Sequence, residues 1–233
     1  MRCKYNREKE ICRRSAILHV SFLRNNSINL PLPSGRSSKC LFLLYLHSLY
    51  QMKPRIILDS HKFSLTIDRL CHQLIEQHKD FSASCIIGVQ PRGVFLAERI
   101  HKRLQTILKR KDIAYGKLDI TLYRDDFRQK GKPMTTNETD ISFSLEDKNV
   151  VLVDDVLYTG RTIRAALDAL LDFGRPKDVE LLVLIDRRLQ RHLPIQAKYV
   201  GKVIDSIITE KVKVEWAEAD GQDKVWILSE NKE

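Results

Sequence analysis

Apolar positions along the chain fall into two regimes. From Ile56 onward, short runs of β-branched and aliphatic residues alternate with longer stretches whose apolar residues recur at intervals of three and four, whereas residues 1–51 hold no sustained period of either kind. Ile56-Ile57-Leu58 is followed by Asp59 or Ser60 as a helix N-cap, and Phe63, Ile67, Leu70, Cys71, Leu74 and Ile75 predict an amphipathic helix to about Lys79. Cys85–Val89 predicts a buried strand ending at Gln90-Pro91-Arg92-Gly93. A helix from Val94 to about Lys111 comes next, with Phe95, Leu96, Ile100, Leu104, Ile107 and Leu108 facing inward. Leu118–Tyr123 predicts a strand, and the polar stretch Arg124–Glu138, with Gly131 and Pro133, a mobile loop or extended flap. Asn149–Val153 is a continuous apolar strand, 154–161 a turn, and the helix after it carries Ile163, Ala166, Leu167, Leu170 and Leu171 on one face until Gly174 and Pro176 stop it. Further strands are predicted at Glu180–Ile185, Lys198–Ile204, Val212–Trp216 and Lys224–Leu228. Apolar strands alternating with amphipathic helices specify an α/β domain with a mainly parallel central sheet flanked by helices, to which the strand-rich tail adds an antiparallel piece. No internal repeat occurs.

Composition narrows the class. At 233 residues and 43% hydrophobic, the chain has room for one domain with appendages and enough apolar content for a core. Five cysteines without C-x-x-C or metal-ligand spacing speak against a disulfide scaffold and a zinc site, and for a reducing, cytoplasmic setting. The net charge of +10 suggests a polyanion partner, yet residues 1–51 hold nine basic residues against two acidic ones, so seven of those ten charges lie in the first fifth of the chain. That segment is acid-poor, as a transit peptide is, but its strongest apolar run, Leu41–Leu46, begins too late for a secretory signal and is too short to span a bilayer. Residues 1–51 are therefore expected to be a disordered or non-native leader, residues 52–233 the folded domain, and no membrane association is expected.

The chemistry concentrates in Val150-Val151-Leu152-Val153-Asp154-Asp155-Val156-Leu157-Tyr158-Thr159-Gly160-Arg161-Thr162. A buried parallel strand delivers two adjacent acids to its carboxyl end, where open α/β sheets bind ligands. Two threonine hydroxyls, a glycine and the start of a helix follow, which are the parts of an anion cradle. Acids alone would repel a phosphate. Their juxtaposition suits a phosphorylated sugar, with carboxylates for its hydroxyls, and amides and hydroxyls for its phosphate. A Walker A loop is absent.

This segment resembles the 5-phosphoribosyl-1-pyrophosphate (PRPP) motif of the type I phosphoribosyltransferases. Gly88-Val89-Gln90-Pro91-Arg92-Gly93 sits where these enzymes place a pyrophosphate-binding loop, and Leu122-Tyr123-Arg124-Asp125-Asp126 at the root of their flap. Together with Gly174-Arg175-Pro176, Asp186-Arg187, Leu193-Pro194-Ile195 and Tyr199-Val200-Gly201-Lys202, the likeness runs from about Ile56 to Leu228 and points to the branch of the family that couples uracil phosphoribosyl transfer to control of pyrimidine operons.

The resemblance implies the type I phosphoribosyltransferase fold with a small hood and a flap loop, and a pentosyltransferase that converts uracil and PRPP to UMP and pyrophosphate. Asp154, Asp155 and Arg124 would be catalytic, and Pro91, Arg92, Asp154, Asp155, Val156, Leu157, Tyr158, Thr159, Gly160, Arg161 and Thr162 would bind PRPP. Arg187 and Val212 would border the base. Magnesium would arrive with PRPP, held mainly by substrate rather than by a protein cage. The resemblance further implies a homodimer or homotetramer and a basic surface, with Arg69, His72, Arg191 and Lys202, for an operon leader mRNA under the control of UMP or UTP. Asp68 and Gln196 depart from that branch, which has a neutral hydroxyl and an arginine there, and the turn Arg187–His192 is one residue longer. A purine-base phosphoribosyltransferase and an RNA-binding nucleotide sensor with little activity are the competing assignments.

Overall fold

The computed structural model describes residues 54–125, 137–205 and 210–229; the expectation for residues 1–51 and most of the flap fall outside them. Among the described residues eight strands and four helices follow in the order β1 (Arg55–Leu58), α1 (Ser60–His78), β2 (Ser84–Val89), α2 (Gly93–Leu108), β3 (Ala114–Leu118), β4 (Asn149–Leu157), α3 (Arg161–Leu170), β5 (Asp178–Arg187), β6 (Tyr199–Ile204), β7 (Glu210–Glu215), α4 (Ala217–Asp220) and β8 (Lys224–Ser229). Strands β3-β2-β4-β5-β6 form a parallel sheet, and β1-β8-β7 a separate antiparallel one, the small hood. Parallel strands are buried on both faces. Accordingly β2 is buried along its whole length, and the two faces of the sheet meet different cores. Leu70, Leu74, Leu96 and Ile100 of α1 and α2 cover one face, and Ile163, Ala166 and Leu170 of α3 the other.

Local chemistry sets the element ends. Asp59 caps α1, its carboxylate accepting from Lys62 N at 2.9 Å, a contact of a kind worth about 1 kcal/mol. The α2 helix stops at Leu108, short of the expected Lys111, because Lys109 takes a left-handed conformation at φ 53°. The strand expected at Leu118–Tyr123 lies earlier, at Ala114–Leu118, in register with Cys85–Val89. Beyond it the Asp119 carboxylate accepts from the amide and the hydroxyl of Thr121 and turns residues Thr121–Tyr123 into a single 3₁₀ turn. Strand β4 runs through Leu157, four residues past its expected end at Val153, because β5 continues alongside it and pairs Asp154 with Val183 and Leu157 with Asp186.

The hood is fastened to α1 and α2 by an aromatic and charged seam. The fully buried Trp216 meets Phe63 edge to face at 5.1 Å and 87°. Arg99 lies over Trp216 at 5.2 Å and pairs with Glu218 and Asp223 at 2.6 and 2.7 Å. Such ring pairs add about 0.5–1.5 kcal/mol beyond the area they bury.

Candidate active site

The five parallel strands end on one side of the sheet, and most of the expected site residues gather there. The 3₁₀ turn after β3 leads to Arg124, the β2–α2 connection carries Pro91 and Arg92, β4 carries Asp154 and Asp155, and β5 ends in Arg187. Between them lies a cavity of about 230 Å³ lined by Arg124, Asp125, Asp154 and the run Val156–Ile163. Gly160 precedes α3 with φ 92°, a conformation that any side chain would strain, and its carbonyl accepts from Arg164 N at 3.0 Å to begin the helix. The helix amides therefore open toward the cavity, the arrangement that binds phosphates.

Asp154 is buried and Asp155 partly so. Burial, and after it the neighbouring Asp155 charge, pushes the Asp154 carboxyl well above the ordinary range, against the pull of Arg124. Burial also raises Asp155, although its own backbone contacts and Arg92 oppose this. Asp155 N donates to Asp154 Oδ1 at 2.9 Å. The start of α2 presses against this pair: a Cβ on Gly93 would stand 2.6 Å from Val153 O and 2.9 Å from Asp154 Cα. The glycine thus brings the loop that carries Arg92 onto the acids.

Arg92 is a junction. Its guanidinium stands 3.7 Å from Asp155 Oδ2 and donates to Val214 O at 2.6 Å and Asp220 Oδ2 at 2.7 Å. It therefore joins the acid pair to the hood, whereas the sequence suggested contact with a diphosphate alone. Pro91 beside it is exposed. Arg187 is buried, donates to Glu210 O at 2.7 Å and lies over the Tyr158 ring at 4.1 Å, which ties β5 to both the hood and the PRPP motif. Val212 is partly buried in β7 opposite Ile227 and packs against the core. Arg161 projects outward and pairs with Asp125 at 3.3 Å.

The four basic positions proposed for RNA fall into two groups. Arg69, His72 and Lys202 are exposed on α1 and the edge strand β6. Arg69 donates to Gly201 O at 2.6 Å, which sets it beside Lys202. Asp68, which stands where the resembled branch of the family has a neutral hydroxyl, is paired with Arg103 at 2.6 Å, so its charge is compensated locally. Arg191 instead turns inward to Tyr158 O and Asp186.

Sequence reasoning did not single out Asp119, yet its carboxylate also accepts from Asn137 N at 3.1 Å and its amide donates to the Thr139 hydroxyl at 3.1 Å. It thereby holds both roots of the segment where a flap was expected. An Asp directly after a strand and two residues before Thr was the available signal.

Comparison with known proteins gives a consistent outcome. A family profile described as phosphoribosyl transferase domain matches residues 55–219. A protein of Elusimicrobium minutum named bifunctional protein PyrR is 42% identical over 179 residues, covering 77% of this chain and 99% of that protein. One of the same name from Deinococcus radiodurans is 48% identical over 169 residues, covering 72% of this chain and 91% of its own length. Among solved structures, the hypoxanthine phosphoribosyltransferase of Trypanosoma cruzi superposes with a TM-score of 0.58 at 16% identity, covering 76% of this chain and 97% of that one. The enzyme of the same name from Staphylococcus aureus gives 0.54 at 21%, covering 79% and 95%. At such identities these structures speak to the fold.

Proposed function

This chain belongs to the phosphoribosyltransferase family, and from that premise we propose that it is a uracil phosphoribosyltransferase that also regulates pyrimidine operons as a sensor of uridine nucleotides. The observation that carries the catalytic half is the cavity in which buried Asp154, Arg124 and the loop that opens α3 converge, with partly buried Asp155 next to Asp154. A uracil nitrogen attacks C1 of the ribose, the bond from C1 to the pyrophosphate oxygen breaks, and the anomeric carbon inverts. The passing state resembles an oxocarbenium ion, so the protein's work is orientation and stabilisation of the leaving group. Asp154 and Asp155 hold the ribose hydroxyls, Thr159–Thr162 the 5-phosphate, and Arg124 and Arg92 the pyrophosphate side. Arg187 borders the base from the end of β5.

Magnesium enters with PRPP as part of the substrate. Among the described residues no group of three or more His, Cys, Asp and Glu is gathered to hold a metal. The acid pair at the cavity suits an ion already carried on phosphate, through its water shell.

The regulatory half rests on the name of the relatives and on the exposed Arg69, His72 and Lys202, a polar surface with two fixed cations for the leader of an operon mRNA with UMP or UTP as effector. The protein works in the cytoplasm as a homodimer or homotetramer. No helix among the described residues is long and apolar enough to cross a membrane.

Incubation with PRPP, magnesium and radiolabelled uracil, repeated with hypoxanthine, tests the enzyme. UMP from uracil alone supports it, whereas IMP from hypoxanthine with no UMP makes the protein a purine enzyme. Retardation of the cognate leader hairpin tests regulation, and affinity equal to that for a scrambled hairpin and insensitive to UMP overturns it.

A further inference from the structure

A trans peptide directs its C=O and N–H to opposite sides, so a donor that takes the carbonyl of one loop residue aims the amide of the next. Gln90–Pro91 is the only cis bond found among the described residues, and the loop peptides are trans. Arg191 Nη1 donates to Tyr158 O at 2.6 Å, while its Nη2 is anchored on Asp186 Oδ1. His192 N and Leu193 N donate to Thr159 O at 3.0 and 3.3 Å. The amides of Thr159 and Gly160 are thereby turned the other way, and among the described residues neither donates to a protein atom. Leu193 and Ile195 also back Gly160, with 3.4 and 3.3 Å left for a Cβ there.

We propose that Arg191 is a positioning residue for the phosphate loop, fixing the Tyr158–Thr159 peptide so that the Thr159 amide faces the 5-phosphate of PRPP. The proposal rests on the phosphoribosyltransferase reading and takes Arg191 out of the RNA surface to which its cationic run suggested it belonged. It also couples the two ends of the site. Asp186 adjoins Arg187, whose guanidinium covers the Tyr158 ring, so the strand that borders the base and the loop that holds the phosphate share one clamp. A guanidinium suits this task because its planar fork reaches a carboxylate and a carbonyl at once.

Calorimetric titration of the full chain with magnesium PRPP, for wild type, Arg191→Ala and Arg191→Lys, tests the proposal alongside steady-state UMP formation. Arg191→Ala weakens PRPP binding and raises KM for PRPP about tenfold and leaves KM for uracil within about twofold, with some loss of melting temperature because the buried Asp186 loses its partner. Arg191→Lys recovers part of the loss, since an ammonium still reaches Tyr158 O. If Arg191→Ala melts below the assay temperature, the Lys variant carries the comparison. Unchanged PRPP affinity in a folded variant overturns the proposal, and so does weakened hairpin binding with PRPP affinity intact. Because affinity is read directly, a wild type that binds PRPP but makes no UMP refutes the proposed reaction while the variants still decide the role of Arg191. A wild type that binds no PRPP refutes both.

Discussion

Gly93→Ala places a methyl group where α2 meets the acid pair. The new Cβ would lie 2.6 Å from Val153 O, 2.9 Å from Asp154 Cα and 3.1 Å from Asp154 Oδ1. Two of these atoms belong to the backbone of β4, which is held on one side by β2 and on the other by β5, so the strand cannot yield. Ordinary carbon–oxygen contact begins near ~3.3 Å. The start of α2 must therefore retreat by about 0.7 Å, carrying Arg92 away from Asp155 and the hood. Overpacking of this size costs about 1–3 kcal/mol, and in a domain of this length each kcal/mol lowers Tm by about 2–4 °C. A displacement approaching ~1 Å among reacting groups costs as much as ~100-fold in rate. The variant is expected to lose about tenfold to 100-fold in kcat/KM for PRPP in the radiolabelled uracil assay, with a lower Tm by scanning calorimetry. Kinetics within twofold of wild type at an unchanged Tm would refute the reasoning, because they would mean that α2 does not bear on the acids.

The other predictions concern charge. Because burial raises the Asp154 carboxyl, its ionisation is opposed by the fold, and stability is lost as pH rises through the raised value. Asp154→Asn should thus raise Tm at pH 7.5, by about 2–4 °C for each kcal/mol recovered, while UMP formation falls. At the opposite end of the sheet, Glu180 accepts from Tyr199 at 2.6 Å, from His78 at 3.1 Å and from Lys198, and His78 Nδ1 faces the Ser84 hydroxyl at 2.9 Å. Burial lowers the His78 value despite the Glu180 charge, so the folded protein holds it neutral, and stability is lost as pH falls from the ordinary histidine value of about 6.5 through the lowered one. Urea midpoints at pH 7.5 and 5.5 should differ for wild type and less so for His78→Gln; equal differences would sink this. Lys202→Ala should weaken hairpin retardation and reduce its salt slope by about one phosphate's share, with UMP formation unchanged.

Legibility in the sequence followed the range of the interactions. Period-3.6 stripes such as Phe63 to Leu74 and continuous runs such as Cys85–Val89 report local burial, and the helices and buried strands stand where those patterns lie. The segment from β4 into α3 is contiguous, so its residues were named together, and Asp154 and Val156 to Thr162 do line one cavity. Strand ends depend on a neighbour distant in sequence. Asp154 to Leu157 read as a turn because two acids interrupt an apolar run, yet β5 supplies the backbone partners that keep them extended. Likewise β1 pairs with β8 at the far end of the chain, which periodicity cannot disclose. The fate of individual arginines was the least legible. Nothing local separates Arg92, which reaches Asp220 across the hood, or Arg191, which reaches Tyr158, from a solvated cation.

That last distinction alters how the charge of the domain is counted. Between Arg187 and Ile204 the sequence offers five cations and no acid, which taken as composition is a phosphate-binding strip. In the structure Arg187 is buried beneath Tyr158 and the hood, Arg191 donates to Tyr158 O and Asp186, and Lys198 is drawn to Glu180. Arg188 stands 3.5 Å from Asp205, with both side chains 62% exposed, a pair that salt screens and that is worth little. Lys202 remains at the surface, and Arg69 of α1, far from it in sequence, lies beside it through its bond to Gly201 O. Affinity for a polyanion depends on how many phosphates are neutralised at once. The surface proposed for RNA is therefore the α1–β6 edge assembled by the fold, and its few charges predict modest hairpin binding by one chain.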